Sequence, residues 1–301
     1  MEFLYLLENI RFPLLNELML LITRLGEETA FLVAAMIVFW CVDKNRGYYL
    51  MSVGFGGTIL TQCLKLVCKV PRPWVRDPNF DPIPGSKEAA TGYSFPSGHS
   101  QSAVGTFGSL AMTEKNKLFR GIFVAICVLV PFSRMYLGVH TPADVLVGSA
   151  CALVLMFGMR FLADGKHTRM MLFVLTGVAV LYWIFVQFLL NPENLDPHNY
   201  ASGVKNAYTL LGAIFGMLVV HYIDEKWVHF EVKACWWAQL LKIVGGLALV
   251  LLVKEGLKAP LNALLGEYPG RALRYFLMVL AAGNLWPLTF RWFATLGKKE
   301  K

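Results

Sequence analysis

Charge is scarce in this sequence. Asp, Glu, Lys and Arg make up 16% of its 301 residues against 56% hydrophobic ones, and the mean hydropathy is +0.52. That balance excludes a soluble globular domain of this length and places the chain in a bilayer. Cysteine pairing is also missing. The six cysteines form no CxxC or other metal-ligand spacing, and Cys41, Cys63, Cys127 and Cys151 fall inside apolar runs, where a thiol behaves as a small hydrophobe. No cleavable leader is legible, because Glu8, Arg11, Glu17 and Arg24 interrupt the apolar opening. That opening reads as an interfacial amphipathic helix or as a short first span. No internal repeat and no low-complexity linker divide the chain. Its net charge of +8 is dispersed among loops, which suits an anionic membrane surface and argues against nucleic acid as a partner.

What the chain has in abundance is apolar stretches of about 17 to 25 residues, the length that crosses a hydrocarbon core as a helix. They lie near 28–43, 47–64, 98–113, 119–138, 142–162, 170–190, 204–222, 239–257 and 272–293. The expected fold is an all-α, polytopic integral-membrane helical bundle of about eight or nine spans. If the spans alternate, the basic loops 43–46, 114–120 and 160–169, the stretch holding Lys226 and Lys233, and the tail GKKEK at 297–301 share one side. Lys and Arg bias makes that side cytoplasmic. The other side receives 69–97, the turn near 134–141, the acidic 191–199 and the turn near 258–271. Several basic residues nevertheless fall there too. A seam near 165–170 divides a first part, 1–165, that holds every candidate catalytic residue from a second, 166–301, that holds none. Lys242, Lys254, Glu255 and Lys258, around the eighth span, read as helix-end residues that snorkel to the interface.

Three polar clusters fall on the outer side. The first is KLVCKVPRP, Lys65 to Pro73, where Pro71 biases Val70 to an extended conformation and throws Arg72 into the loop. Alone, Lys65 could snorkel and Arg72 could be an ordinary loop charge. The second is Pro96-Ser97-Gly98-His99, in which Ser97 is a helix N-cap and the amides that follow point out of the helix end, a natural place for an anion. Ser97 could equally serve as a cap alone. The third is SRMYLGVHTPAD, Ser133 to Asp144. Thr141-Pro142 is a good helix start, and Asp144 can complete a capping box, accept the ring N–H of His140 four residues earlier, or do both.

Together the clusters bring Lys65, Arg72, Arg134, the helix start at Ser97–Gly98, and two histidines to one depth. Fixed cations and free amides are what a tetrahedral phosphate needs, because charge developing on its oxygens must be met by preorganised donors. Two histidines allow one to attack phosphorus and the other to protonate the leaving alkoxide. The one held by a carboxylate is the better nucleophile. That assigns His140 as attacker, Asp144 as its orienting partner and His99 as general acid. Asp77 and Asp81, without neighbouring ligands, make a poor metal site. The loop from Trp74 to Tyr93 shapes the entrance for a headgroup, with Trp74 and Phe80 resting at the interface.

The order Lys-x6-Arg-Pro (65 to 73), Pro-Ser-Gly-His (96 to 99) and Ser-Arg-x5-His-x3-Asp (133 to 144) resembles the three-part signature of the type 2 phosphatidic acid phosphatase superfamily. The likeness covers about residues 12–162, including the opening LNELMLLITRLG, and residues beyond it carry no recognisable motif. The resemblance implies a six-helix-type phosphatase core with extra C-terminal helices. It implies an enzyme without metal or other cofactor, which holds phosphate with Lys65, Arg72, Ser97, Gly98 and Arg134 and passes through a phosphohistidine at His140. It further implies a lipid phosphate monoester or diphosphate as substrate, such as a polyprenyl diphosphate, phosphatidic acid, phosphatidylglycerol phosphate or a sphingoid-base phosphate. The expected setting is a bacterial cytoplasmic membrane with the site facing outside. Soluble vanadium-dependent haloperoxidases share this site geometry, and the apolar spans argue against them. A lipid phosphotransferase using the same site, and a lipid-binding or transport protein with a relic site, are the alternative functions.

Overall fold

The structure is a computed structural model that describes residues 1–90 and 92–296; the GKKEK tail used for orientation lies outside the described residues. It is helical throughout, with no strand among the described residues. Helices α1 (Glu2–Glu8), α2 (Pro13–Thr23), α3 (Glu28–Ile37), α4 (Lys44–Cys68), α5 (Pro73–Arg76) and α6 (Ser86–Ala89) lead to α7 (Gly98–Thr113), α8 (Lys117–Tyr136) and α9 (Pro142–Gly158). Then follow α10 (Thr168–Ile184), α11 (Pro197–Ile223), α12 (Trp236–Gly256), α13 (Lys258–Leu265), α14 (Glu267–Leu280) and α15 (Phe290–Thr295).

Five helical segments are long and apolar enough to cross a membrane: 44–76, 117–136, 168–189, 197–228 and 236–265. A sixth candidate is the pair Pro13–Gly26 and Glu28–Val42, bent by 55°. That pair accounts for the mixed opening, where neither reading of the sequence was decisive. The expected spans at 98–113 and 142–162 form helices of 16 and 17 residues. At 1.5 Å per residue these reach only about 24 to 26 Å. The first is enclosed by its neighbours, while the second keeps an apolar face exposed at Leu146, Val154 and Phe157.

The chain folds into two compact units assembled from separated stretches. The first takes residues 1–34, 53–160 and 191–203. Its centre is α7, which packs against α8 and α9, while α2 packs against α8. Ala103, Phe107 and Val130 make one buried cluster, and Met19, Ile83, Tyr136, Leu137 and Val139 make another beside it. Helix ends are set locally. Asn116 caps α8 through the amides of Leu118 and Phe119, and Lys69 ends α4 in the left-handed region at φ 51°, ahead of Pro71. Burial differs from expectation at Phe80. It is 1% exposed, its ring meeting Tyr5 edge to face at 5.4 Å and the Arg11 guanidinium at 5.4 Å. The N-terminal helix therefore covers a side chain that would otherwise rest at the interface.

The second unit takes residues 35–52, 161–190 and those from Val204 onward. Here α14 packs against α12 and α13. Trp40 Nε1 donates to Ala282 O at 2.9 Å, and Lys44 pairs with Asp224 at 2.7 Å. Lys242 does not snorkel. It is fully buried, donating to Val232 O at 2.9 Å with its ammonium 4.2 Å from the Phe290 ring centroid. A carbonyl and an aromatic face replace the water that an interfacial lysine would keep.

Candidate active site

Every residue singled out from the three clusters falls in the first unit, and the helix ends explain where each points. Lys65, in the last turn of α4, is buried and donates to the carbonyl oxygen of Tyr93. Arg72 caps α5 from the loop, its Nε donating to Gly92 O at 2.9 Å and its Nη1 to Val139 O at 3.0 Å. Arg134, in the last turn of α8, is 1% exposed and donates from Nη1 to Thr23 Oγ1 at 2.8 Å. Its Nε makes no hydrogen bond. The loop 92–94 and the Val139 carbonyl thus fix two of the cations, and the end of α2 fixes the third.

Ser97 caps α7, accepting from the amide of Ser100 at 3.3 Å and from its hydroxyl at 2.9 Å. Its own amide donates to Asp144 O at 2.9 Å, which ties the start of α7 to the first turn of α9. That closeness depends on Gly148. A methyl there would lie 2.4 Å from the Ser97 carbonyl oxygen, a distance no side chain tolerates. Around Gly98, by contrast, a methyl would meet nothing within 4 Å, so the backbone at the helix start is open to a ligand.

His140 sits in the turn before α9 and is 2% exposed. Gly138, at φ 79°, lets the chain reverse there against Phe80 and Arg11, where a methyl would come within 3 Å of both. The Nε2 of His140 lies 3.0 Å from Arg72 Nη1. A guanidinium can only donate, so Nε2 carries the lone pair and a neutral ring holds its proton on Nδ1. Burial first, and then the charges of Arg72, Arg134 and Lys65, hold this imidazole well below its usual pKa, so the ring is neutral near pH 7. Nδ1 faces Asp144 Oδ2 at 3.5 Å. Asp144 completes the capping box with Thr141 as well, accepting from the Thr141 amide at 2.7 Å. The capping box is therefore complete, while His140 stands beside the same carboxylate without a hydrogen bond to it in this geometry. The same three cations act electrostatically on His99, in the first turn of α7.

Two polar contacts were missed in the sequence. Ser94 is buried and donates to Asp144 Oδ2 at 2.6 Å, with its oxygen 3.5 Å from His140 Nδ1. It stands in the polar run before Pro96, which was its only signal. Thr23, the acceptor for Arg134, lies 111 residues away in the chain, and nothing local marks it. The N-terminal region engages the Asp77 carboxylate, to whose Oδ2 Tyr5 Oη donates at 2.9 Å, and the Asp81 backbone, to whose carbonyl Arg11 Nη1 donates at 2.8 Å. Among the described residues, no three His, Cys, Asp or Glu gather where they could hold a metal ion.

The PAP2 superfamily profile matches residues 45–166. Phosphatidylglycerophosphatase B of Bacillus subtilis is 34% identical over 160 residues, covering 49% of this chain and 75% of that protein. The chain belongs to the PAP2 superfamily. As a PAP2 member it is a membrane phosphatase, a hydrolase of phosphate esters. A second profile, the transmembrane extension of PAP2 superfamily phosphatases, matches residues 208–299, a region that carried no recognisable motif. Undecaprenyl-diphosphatase BcrC of B. subtilis is 29% identical over 145 residues, 48% of this chain and 72% of that protein. The crystal structure of a transmembrane PAP2 type phosphatidylglycerolphosphate phosphatase from B. subtilis covers 55% of this PAP2 chain and 84% of its own, at 29% identity and a TM-score of 0.46.

Proposed function

We propose that the protein hydrolyses a lipid phosphate monoester or diphosphate in two steps through a phosphohistidine at His140, without a metal, at the outer face of the membrane. The observation that carries this reading is the Arg72–His140 contact, because it makes Nε2 the ring's unprotonated nitrogen at a place where three cations act on it. Lys65, Arg72, Arg134 and the open amides at Ser97–Gly98 hold the phosphoryl oxygens. Nε2 attacks phosphorus, the bond to the leaving oxygen breaks, and His99, protonated once the anionic phosphate offsets the three cations, gives that oxygen its proton. His99 then takes a proton from water, the hydroxide attacks phosphorus, and the P–N bond breaks to release inorganic phosphate and neutral His140. Asp144 holds Nδ1–H throughout and stabilises the ring while it carries the phosphoryl group.

The phosphatidylglycerophosphatase and undecaprenyl-diphosphatase among the relatives favour a glycerophospholipid phosphate or a polyprenyl diphosphate as substrate. The basic loops 43–46 and 160–169 favour a cytoplasmic opposite face. Residues 1–165 carry the catalytic part, and 166–301 are an additional membrane region. The test is phosphate release by detergent-purified protein in EDTA, across phosphatidylglycerol phosphate, phosphatidic acid, undecaprenyl diphosphate and sphingosine phosphate. Release is expected on at least one lipid, lowered by orders of magnitude in His140→Ala, with His99→Ala accumulating an acid-labile phosphoenzyme. Retention of most of the rate in His140→Ala refutes the mechanism. Release that appears only when a second lipid is added as acceptor makes the protein a phosphotransferase.

A further inference from the structure

The second unit carries a pocket of its own, with a volume of about 570 Å3, lined among others by Thr168, Arg169, Met170, Phe173, His221 and Glu225. Thr168 opens α10, a helix of 17 residues whose start has no side-chain cap. His167 before it is left-handed at φ 58°, so the chain turns sharply into the helix and the first-turn amides face outward. Thr168 itself is 3% exposed, and its Oγ1 has no hydrogen-bond partner. Across the pocket His221 is 9% exposed, and its Nδ1 makes no hydrogen bond although Glu225 Oε2 lies 3.5 Å away. Two residues of the pocket's lining thus each carry a buried polar atom that makes no hydrogen bond, and such atoms call for a further partner.

The charges identify what that is. Arg169 and Glu225 pair at 2.5 Å at the rim, both partly exposed, so the pocket offers one charge of each sign and no net charge. A simple anion would meet Glu225 as a repulsive neighbour. A group carrying both a phosphate and an ammonium finds a partner for each. Depth selects an amphiphile over a soluble compound. On the helix end that bears His221 and Glu225, the exposed Tyr222 and Trp227 rings meet edge to face at 5.8 Å, an aromatic pair of the kind that marks the headgroup level. Met170 and Phe173, 57% and 59% exposed, then lead along α10 from the pocket and can take an acyl chain.

We infer that this pocket holds the headgroup of a zwitterionic phospholipid of the phosphoethanolamine type. The phosphate sits on the first-turn amides of α10, Thr168 Oγ1 and Arg169, and the ammonium sits on Glu225 with His221 beside it. None of these residues belongs to the phosphate site of the first unit, so the lipid is a bound structural or regulatory ligand and not the substrate.

The test is native mass spectrometry of the full chain in detergent, titrated with phosphatidylethanolamine, phosphatidylglycerol or soluble phosphoethanolamine. Thr168→Val and Glu225→Gln are measured beside the wild type. One phosphatidylethanolamine should bind per chain, more tightly than phosphatidylglycerol. Each variant should weaken it about tenfold, the size of one hydrogen bond to a charged group, with His140-dependent phosphate release unchanged. Glu225→Gln changes a partly exposed side chain and should fold even if Thr168→Val does not. Equal binding of the two lipids, or unchanged phosphatidylethanolamine binding in Glu225→Gln, overturns the zwitterion assignment. Soluble phosphoethanolamine binding as tightly as the lipid overturns the membrane assignment.

Discussion

Removing the Ser94 hydroxyl should slow turnover without unfolding the protein. Asp144 Oδ2 accepts from Ser94 Oγ at 2.6 Å and from the Thr141 amide at 2.7 Å, and His140 Nδ1 stands at 3.5 Å. The serine bond is therefore shorter than the histidine contact, and it helps to fix where Oδ2 stands. Ser94→Ala deletes a hydrogen bond to a charged acceptor, worth about 1.5 to 3 kcal/mol. The Thr141 amide remains, so the carboxylate keeps its cap and the helix start survives. What it loses is orientation toward a ring that becomes cationic as it accepts the phosphoryl group. At about 1.36 kcal/mol per factor of ten, kcat/KM should fall about 10- to 100-fold. The assay is the initial rate of phosphate release from mixed micelles, with Tm measured in parallel and Ser94→Thr included to keep a hydroxyl. In an Asp144→Asn background the same substitution should change the rate less than about twofold, because both act through one oxygen. A Ser94→Ala enzyme within about twofold of wild type at unchanged Tm refutes the reasoning, as does an effect that persists in full in Asp144→Asn.

Thr23→Val should lower kcat/KM by about tenfold, since it strips the Arg134 guanidinium of its Nη1 acceptor while keeping the side-chain shape; Thr23→Ser should restore the rate. Gly148→Ala pushes a methyl to 2.4 Å from the Ser97 carbonyl and should cost about 1 to 3 kcal/mol in an unfolding experiment, with loss of activity. Gly121→Ala, where a methyl meets nothing within 4 Å, is the control and should be neutral or stabilising. The pH profile follows from His140. In the proposed mechanism its deprotonated form attacks, and its pKa is held well below the usual value, so the acid limb of kcat/KM should lie below about pH 6.5 after correction for substrate ionisation. An acid limb assigned to His140 above that value contradicts the buried, cation-flanked site.

The candidate site was largely legible because its parts are local. Ser97 and Thr141 announce helix starts, Pro71 announces a helix end, and the His140 to Asp144 spacing places an acid one turn beyond a base. Such signals act within a few residues and survive any arrangement of the helices. Phe80 and Lys242 were misread for the opposite reason. Apolar or basic character says that a residue prefers a membrane edge, but not whether a neighbouring helix will cover it.

The sequence by itself determined the class of fold, the candidate site residues, and their place at helix ends, since hydropathy, capping and proline geometry are properties of short segments. Tertiary structure alone decided that Thr23 meets Arg134, that Ser94 meets Asp144, and that Gly148 lies against Ser97. Each of these joins segments far apart in the chain, and such contacts exist only once the helices have packed. It also decided the His140 tautomer. Arg72 reaches Nε2 across 68 residues of chain, and a donor with no lone pair leaves that nitrogen only one role.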